Sequence, residues 1–251
     1  MPGKLSGKVA LVTGGGSGFG AAISRLFADE GAKVFIGDIN LKGAEEIANA
    51  YTGSVIAGQL DVTKRPDWDA AVARVKKEFG QLDILINNAG TSYKNKPTLD
   101  VTEAEYNLTF NVNCFGIFHS VQAVFPTFIE QKGGVCVNIS SVGADRPRRG
   151  LVWYNASKGA VSNASKGLAL EYGSHNIRVN SICPLLSGTG LFEAFAGVPD
   201  TPENRQQFLA NVPLGRLAEG DDIAKAALFL CSEDAHFITG VNLPVDGGRG
   251  V

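Results

Sequence analysis

Apolar runs and amphipathic stretches alternate along almost the whole chain. The apolar runs predict strands, at 8–13, 33–38, 54–60, 82–86, 134–139, 177–182 and 241–245. The stretches between them have helical periodicity, at 21–28, 41–50, 66–79, 102–130, 153–174 and 221–231, with a loop and short helices over 184–212. This alternation predicts the α/β class, a parallel sheet of about seven strands with helices on both faces. The 251 residues, of which 44% are hydrophobic, fit one domain over 1–251.

Small or polar residues follow most of the predicted strands at the point where each strand ends. The residues at or just after these carboxyl ends are Gly14, Asp38, Asp61, Asn88, Ser141 and Pro184. The carboxyl ends of parallel strands lie at one edge of a sheet, where ligands of such folds bind. We therefore expect one shared site at that edge.

A glycine-rich turn joins the first predicted strand to the first helix. It has the sequence Thr-Gly-Gly-Gly-Ser-Gly-Phe-Gly over 13–20, with Gly14, Gly18 and Gly20 at the junction. Positive φ angles and close approach of the backbone to a pyrophosphate would both exclude a Cβ. The spacing differs from the commoner Gly-x-Gly-x-x-Gly, so a tight turn without a ligand is the alternative.

An acidic residue ends the second predicted strand. Asp38 lies 18 residues after Gly20, close to the ~20-residue offset of a ribose-binding carboxylate. A turn or helix-capping aspartate is the alternative interpretation.

Tyr154 and Lys158 form a Tyr-x-x-x-Lys pair, with Ser141 13 residues before the tyrosine. On a helix the two side chains share a face about one turn apart. A phenol with a pKa near ~10 is a poor base at neutral pH, and a nearby ammonium would favour its phenolate. The pair predicts a proton-transfer site, and the alternative is one turn of a buried helix with a surface lysine.

Composition excludes several classes of function. The formal net charge of −2 gives no basic field for nucleic acid or an anionic membrane. We count no apolar run near the ~20 residues of a membrane span, and the first residues lack the apolar core of a signal peptide. The four cysteines and three histidines are widely spaced and give no metal-ligand pattern. We expect a reduced, cytoplasmic protein without a metal.

Together these motifs resemble the short-chain dehydrogenase/reductase family over essentially the whole chain. Further segments that carry the resemblance are 61–62, 87–90, 111–113, 138–141, 180–184, 239–240 and 245–248. The resemblance implies a Rossmann-type, doubly wound fold and a nicotinamide cofactor. It also implies interconversion of a secondary alcohol and a ketone by direct hydride transfer.

The resemblance implies roles for four catalytic residues. Tyr154 would exchange the proton with the substrate oxygen. Lys158 would lower the pKa of Tyr154 and hold the nicotinamide ribose, while Ser141 would hydrogen-bond the substrate oxygen. Asn113 would hold a water beside the lysine, or else be a buried asparagine that bridges two backbone segments.

The resemblance also implies which residues contact the cofactor. They are Gly14, Ser17, Gly18, Phe19, Gly20, Asp38, Ile39, Asp61, Val62, Asn88, Ala89, Gly90, Tyr154, Lys158, Pro184, Ser187 and Thr189. Charge favours NAD over NADP, because Asp38 would repel a 2′-phosphate and neither Gly37 nor the glycine turn supplies a cation.

Two positions depart from the family pattern. Leu185 follows Pro184 where the family usually has glycine, so we expect the loop that carries Thr189 to shift. Phe19 replaces a smaller aliphatic residue before the last glycine of the turn.

The substrate pocket is expected between the loop 142–153 and a lid over 184–212. Its candidate apolar lining is Trp153, Leu191, Phe192, Phe195 and Phe208, although packing of helices against the core explains such residues as well. Arg146, Arg148 and Arg149 would select an anionic substrate, or else form a solvated or interface loop.

Two other functions stay open. An acyl-carrier-protein ketoreductase would be expected to use NADP and to present a basic surface, and neither is evident here. A non-catalytic nicotinamide-binding scaffold would not need the intact set of serine, tyrosine, lysine and asparagine. In either case the resemblance implies a homotetramer.

Overall fold

Seven parallel strands form one sheet in a computed structural model that describes residues 2–187 and 192–251. They are β1 (Val9–Thr13), β2 (Lys33–Asp38), β3 (Val55–Gln59), β4 (Ile84–Asn87), β5 (Gly134–Ile139), β6 (Ile177–Pro184) and β7 (Asn242–Val245). The spatial order is β3-β2-β1-β4-β5-β6-β7. The chain therefore winds outward from β1 in one direction and from β4 in the other, which confirms the doubly wound sheet.

Helices cover both faces of the sheet. They are α1 (Gly18–Asp29), α2 (Leu41–Ala50), α3 (Arg65–Phe79), α4 (Glu103–Phe110), α5 (Gly116–Glu130), α6 (Val152–Tyr172), α7 (Phe192–Ala196), α8 (Pro202–Leu209) and α9 (Gly220–Cys231). Adjacent strand residues point to opposite faces, so Val12 joins a core with α1 and α9, and Leu11 joins one with α3 and α5. Because both faces are buried, the strands are continuous apolar runs.

The predicted helix over 102–130 is a single helical run, Glu103–Glu130. A Thr102–Glu105 capping box begins it, and a π-helical turn, Asn111–Phe115, joins α4 to α5. In that turn the Gly116 N–H donates to the Asn111 carbonyl. The π turn, which sequence periodicity did not predict, shifts the helical register between α4 and α5.

The same helix corrects our expectation that no apolar run approaches the length of a membrane span. Its 28 residues are long and apolar enough, by length and composition alone, to cross a membrane. Here Val124, Phe125 and Phe128 pack with Trp68 in the core on one face of the sheet. Core helices of globular proteins satisfy the same criterion, so it is weak evidence for a membrane span.

The predicted lid has a small core of its own. Leu185, Phe192, Val212, Leu217 and Ala218 form a buried cluster between the end of β6 and α9. Because β6 ends at Pro184, this cluster lies beyond the carboxyl ends of the strands. Sequence alone had placed only a loop with short helices over this segment.

Candidate functional site

The glycine turn between β1 and α1 leaves a helix N-terminus open to an anion. Gly14 and Gly18 have φ angles of +60° and +52°, and a Cβ on Gly20 would collide with the Gly14 carbonyl oxygen. Ser17 is the N-cap of α1 but makes no side-chain capping bond, and the first turn of this helix has no acidic residue. The free amides and the helix dipole fit a pyrophosphate group.

Asn88 fixes the shape of this turn. Its Nδ2 donates to the carbonyl oxygens of Thr13 and Gly14, both at 2.9 Å. The Thr13 hydroxyl accepts from the backbone N–H groups of Asn88 and Ala89, at 3.0 and 3.1 Å. Thr13 is thus a positioning residue that the sequence analysis had not singled out. Its place at the end of a strand directly before the glycines was the available signal.

Asp38 is buried beside the glycine turn. Its Oδ2 accepts from the Gly16 N–H and its Oδ1 from the Asn40 N–H, each at 2.8 Å. The turn-capping interpretation of this aspartate is therefore observed. It does not exclude ribose binding, since each carboxylate oxygen has a further lone pair. Ile39, directly after it, is 70% exposed at the same edge.

Asp61 and Val62 form a fixed turn after β3. Burial would raise the pKa of Asp61, but hydrogen bonds from Thr63 and Lys64 outweigh it and lower the pKa. The Val62 carbonyl accepts from Trp68 Nε1 at 3.0 Å. The carboxylate is thus ionised and held by its own neighbours at neutral pH.

Ser141, Tyr154 and Lys158 come together at the end of β5. The Ser141 hydroxyl accepts from the Gly143 N–H at 3.0 Å and lies close enough to the Tyr154 phenol to act on its pKa. Lys158 Nζ lies 5.9 Å from the centre of the Tyr154 ring and donates to the Ile139 carbonyl at 2.8 Å. Ser140 is directed to α6 instead, where its hydroxyl donates to the Lys158 carbonyl at 2.9 Å.

Burial controls the acidity of this group. It raises the pKa of Tyr154 to about 12, against a smaller opposing effect of the Ser141 hydrogen bond. It lowers the pKa of Lys158 to about 8. The expected lowering of the Tyr154 pKa by the Lys158 ammonium stays a prediction. Ionising this phenol at pH 7 would require about 7 kcal/mol, at 1.36 kcal/mol per pKa unit. At pH 7 Tyr154 is therefore protonated and can act as a proton donor.

Asn113 lies in the π turn and is 1% exposed. Its Oδ1 accepts from the Thr91 N–H at 2.8 Å, and its Nδ2 donates to the Thr91 carbonyl and the Ser157 hydroxyl at 2.9 and 3.0 Å. The side chain thus joins the Thr91 backbone to the Ser157 hydroxyl, and the water-holding role stays a prediction. A Cβ on Gly90 would lie 3.3 Å from both Asn113 Oδ1 and Lys158 Nζ. The Asn113 amide therefore lies near Lys158, but its hydrogen bonds are made to Thr91 and Ser157.

The two departures from the family pattern meet in one cluster. Leu185 is 3% exposed in the lid core, and Phe19 from the glycine turn packs against that core. The Leu185 N–H still donates to the Val245 carbonyl, so the backbone keeps the β6–β7 register past Pro184. Ser187 forms an isolated bridge with Ala218. Thr189 and Leu191 lie outside the described residues.

The site residues thus occupy one edge of a doubly wound sheet, and comparison with known proteins agrees with this arrangement. A family model described as enoyl-(acyl carrier protein) reductase matches residues 14–249. The chain belongs to the short-chain dehydrogenase/reductase family. This dehydrogenase/reductase is similar to the 4-formylbenzenesulfonate dehydrogenase of Comamonas testosteroni, with 45% identity over 98% of the chain and 99% of the relative.

Two further relatives show the range of the family. A 2,5-dichloro-2,5-cyclohexadiene-1,4-diol dehydrogenase of Sphingobium indicum is 40% identical over 100% of the chain and 99% of the relative. The crystal structure of a 3-ketoacyl-(acyl-carrier-protein) reductase from Brucella melitensis, complexed with NADH, has a TM-score of 0.92 and 41% identity. That match covers 98% of this chain and 100% of the other. The oxidoreductase class and the fold are therefore shown.

Proposed function

We propose that this oxidoreductase interconverts an alcohol and a carbonyl compound, a secondary alcohol and a ketone in particular, with NAD as the cofactor. The observation that carries the proposal is the grouping of the Ser141 and Tyr154 hydroxyls beside the buried Lys158. This group lies at the same sheet edge as the open N-terminus of α1. A scaffold that only binds nicotinamide has no need of a buried proton donor.

The residues divide the chemistry between them. In reduction, Tyr154 donates its proton to the carbonyl oxygen, and its pKa of about 12 keeps it protonated until then. Ser141 hydrogen-bonds the same oxygen and stabilises the charge that develops on it. Lys158, with a pKa lowered to about 8, is mostly charged at pH 7 and attracts the phenolate that remains. A bound nicotinamide supplies or accepts the hydride.

NAD is supported by the environment of Asp38. Its carboxylate is buried at the glycine turn, where a 2′-phosphate would meet a like charge. The structural relative from Brucella melitensis was crystallised with NADH. A 3-ketoacyl reductase can thus bind NADH, and reduction of a 3-oxoacyl thioester is the second candidate function. The net charge of −2 does not favour an acidic carrier as the partner of this candidate.

The direct test is absorbance at 340 nm. The full chain with NAD and a panel of secondary alcohols, diols, benzylic alcohols and 3-hydroxyacyl thioesters should give NADH with at least one alcohol. The relatives motivate the aromatic and diol members of the panel. Tight NADH binding without turnover of any alcohol, or of the matching carbonyls with NADH, would favour the scaffold.

We also propose that the protein is a homotetramer. The helical run Glu103–Glu130 exposes Phe115 and Phe118, which are 47% and 50% accessible, and Leu170 on α6 is 88% accessible. Such apolar side chains on two helices fit two-fold interfaces between copies. Light scattering at micromolar protein should give about four times the chain mass of 26.4 kDa. A monomer mass would contradict the proposal.

A further inference from the structure

A pocket of about 240 Å³ lies between the lid helices and the C-terminal residues. Two arginines, Arg148 and Arg249, line it together with the aromatic rings of Phe192 and Phe208. Asn204, Gln207 and Asn211 are the other polar residues of its wall. Its volume lies just below the range of about 300–1,000 Å³ for small-molecule sites, so it fits one ring with a head group.

Among the described residues, the pocket wall offers no carboxylate to the two guanidinium groups. Arg148 lies over the Phe208 ring at 4.7 Å and makes one long hydrogen bond, 3.5 Å, to the Ala196 carbonyl. Burial and then the neighbouring Arg249 lower the pKa of Arg148. Arg249 Nη1 is buried and has no hydrogen-bond partner among the described residues. A buried charged donor without a partner is costly and points to a missing anion.

Nearby carboxylates are committed elsewhere. Asp200 is paired with Arg205, whose Nη2 donates to Asp200 Oδ2 at 2.7 Å. Asp246, close to Arg249 in sequence, accepts from the N–H groups of Gly248 and Gly250 at 2.9 and 2.7 Å. The described part of the chain therefore does not neutralise the arginine pair itself.

The pocket lies one short helix away from the tyrosine. On α7, Phe195 packs edge-on against the Tyr154 ring with 5.0 Å between ring centres. The next residue, Ala196, lines the pocket and accepts from Arg148. In addition, Asn155, which follows the tyrosine, donates from Nδ2 to the Arg148 carbonyl at 2.9 Å. Occupancy of the pocket is thus linked to the position of both α7 and the start of α6.

We propose that this pocket binds the anionic head group of the substrate, a sulfonate or carboxylate carried on an apolar ring. Each guanidinium group can donate two hydrogen bonds to two oxygens of such an anion, and the two phenylalanine rings of the wall fit the apolar body. The proposal rests on the proposed oxidoreductase function, since it takes the anion to be part of the molecule that reacts at Tyr154. Within the loop 146–149, the proposal assigns anion selection to Arg148. Arg146 instead donates to the main-chain oxygens of Arg249 and Val251.

The test is calorimetric binding of 4-methylbenzenesulfonate to the full chain saturated with NADH. Arg148→Gln and Arg249→Gln should each weaken binding at least tenfold, and Arg249→Lys should restore part of it. Arg149→Gln is the matched control, because this arginine is in the same loop and exposed but does not line the pocket. It should change the dissociation constant by less than twofold. Neutral 4-methylbenzenesulfonamide should bind at least tenfold more weakly than the sulfonate.

Three results would overturn the proposal. One is an equal dissociation constant in the unchanged protein and in correctly folded Gln variants at 148 and 249. Another is equal binding of the sulfonamide. The third is sulfonate inhibition that does not compete with an alcohol substrate. Arginine-dependent binding in a protein that oxidises no alcohol would instead refute the proposed function, while the pocket would still be shown to bind an anion.

Discussion

Replacement of Tyr154 with phenylalanine is expected to lower kcat by ~10²–10⁴-fold, the usual contribution of a general acid or base. At a pKa of about 12, the phenol carries the proton that the substrate oxygen needs. The phenylalanine ring keeps the packing with Phe195, so the pocket should stay intact. NADH binding, measured by fluorescence titration, should change by only a few-fold.

Tyr172→Phe is the matched control for this variant. Tyr172 is at the other end of α6 and packs on Phe125, away from the sheet edge that carries the site. The turnover of the Tyr172→Phe variant should equal that of the unchanged protein. Near-normal turnover in the Tyr154 variant would refute the proton-transfer role of this tyrosine.

Replacement of Asp38 is expected to change cofactor preference. The unchanged protein should use NADH more efficiently than NADPH, because the buried carboxylate repels a 2′-phosphate by about 1–3 kcal/mol at short range. Asp38→Asn removes that charge and still offers an acceptor to Gly16 or Asn40. The ratio of kcat/KM for NADPH to that for NADH should rise about tenfold or more. Asp38→Ala should also reduce the difference in kcat/KM between NADH and NADPH. It leaves the N–H groups of Gly16 and Asn40 without this acceptor, however, and should lower Tm.

Asp83→Asn controls for the loss of one negative charge. Asp83 precedes β4 and accepts from the Val9 N–H at 2.8 Å, at the opposite end of the sheet. This variant should leave the cofactor ratio unchanged. A higher kcat/KM for NADPH than for NADH in the unchanged protein would show that the charge argument is wrong.

Most of the fold was predictable because its signals are local. A strand buried on both faces has to be a continuous apolar run, and all seven predicted strands are present. Boundaries shifted by a few residues where polar or glycine residues continue an element. For example, α1 begins at Gly18 within the glycine turn, and β6 continues to Pro184.

The position of the site residues at one edge of the sheet was predictable, and their contacts were less so. Residues that follow parallel strands must lie at one edge, so Asp38, Asn88 and Ser141 were found together from sequence position alone. The direction of the Lys158 ammonium was not predictable from the sequence. It depends on the Ile139 carbonyl, which belongs to another element. The catalytic and cofactor roles of the residues, the tetramer and the cytoplasmic location stay predictions.

The sequence by itself determined the α/β class, the family and the edge of the sheet that carries the site, because periodicity and motif spacing express them along the chain. Only the tertiary structure decided quantities that depend on distant groups. The pKa of Tyr154 is raised chiefly by burial. The side chain of Asn113 is taken up by Thr91 and Ser157. Arg148 and Arg249 are 101 residues apart in sequence and share one pocket only because the C-terminal residues fold back over the lid.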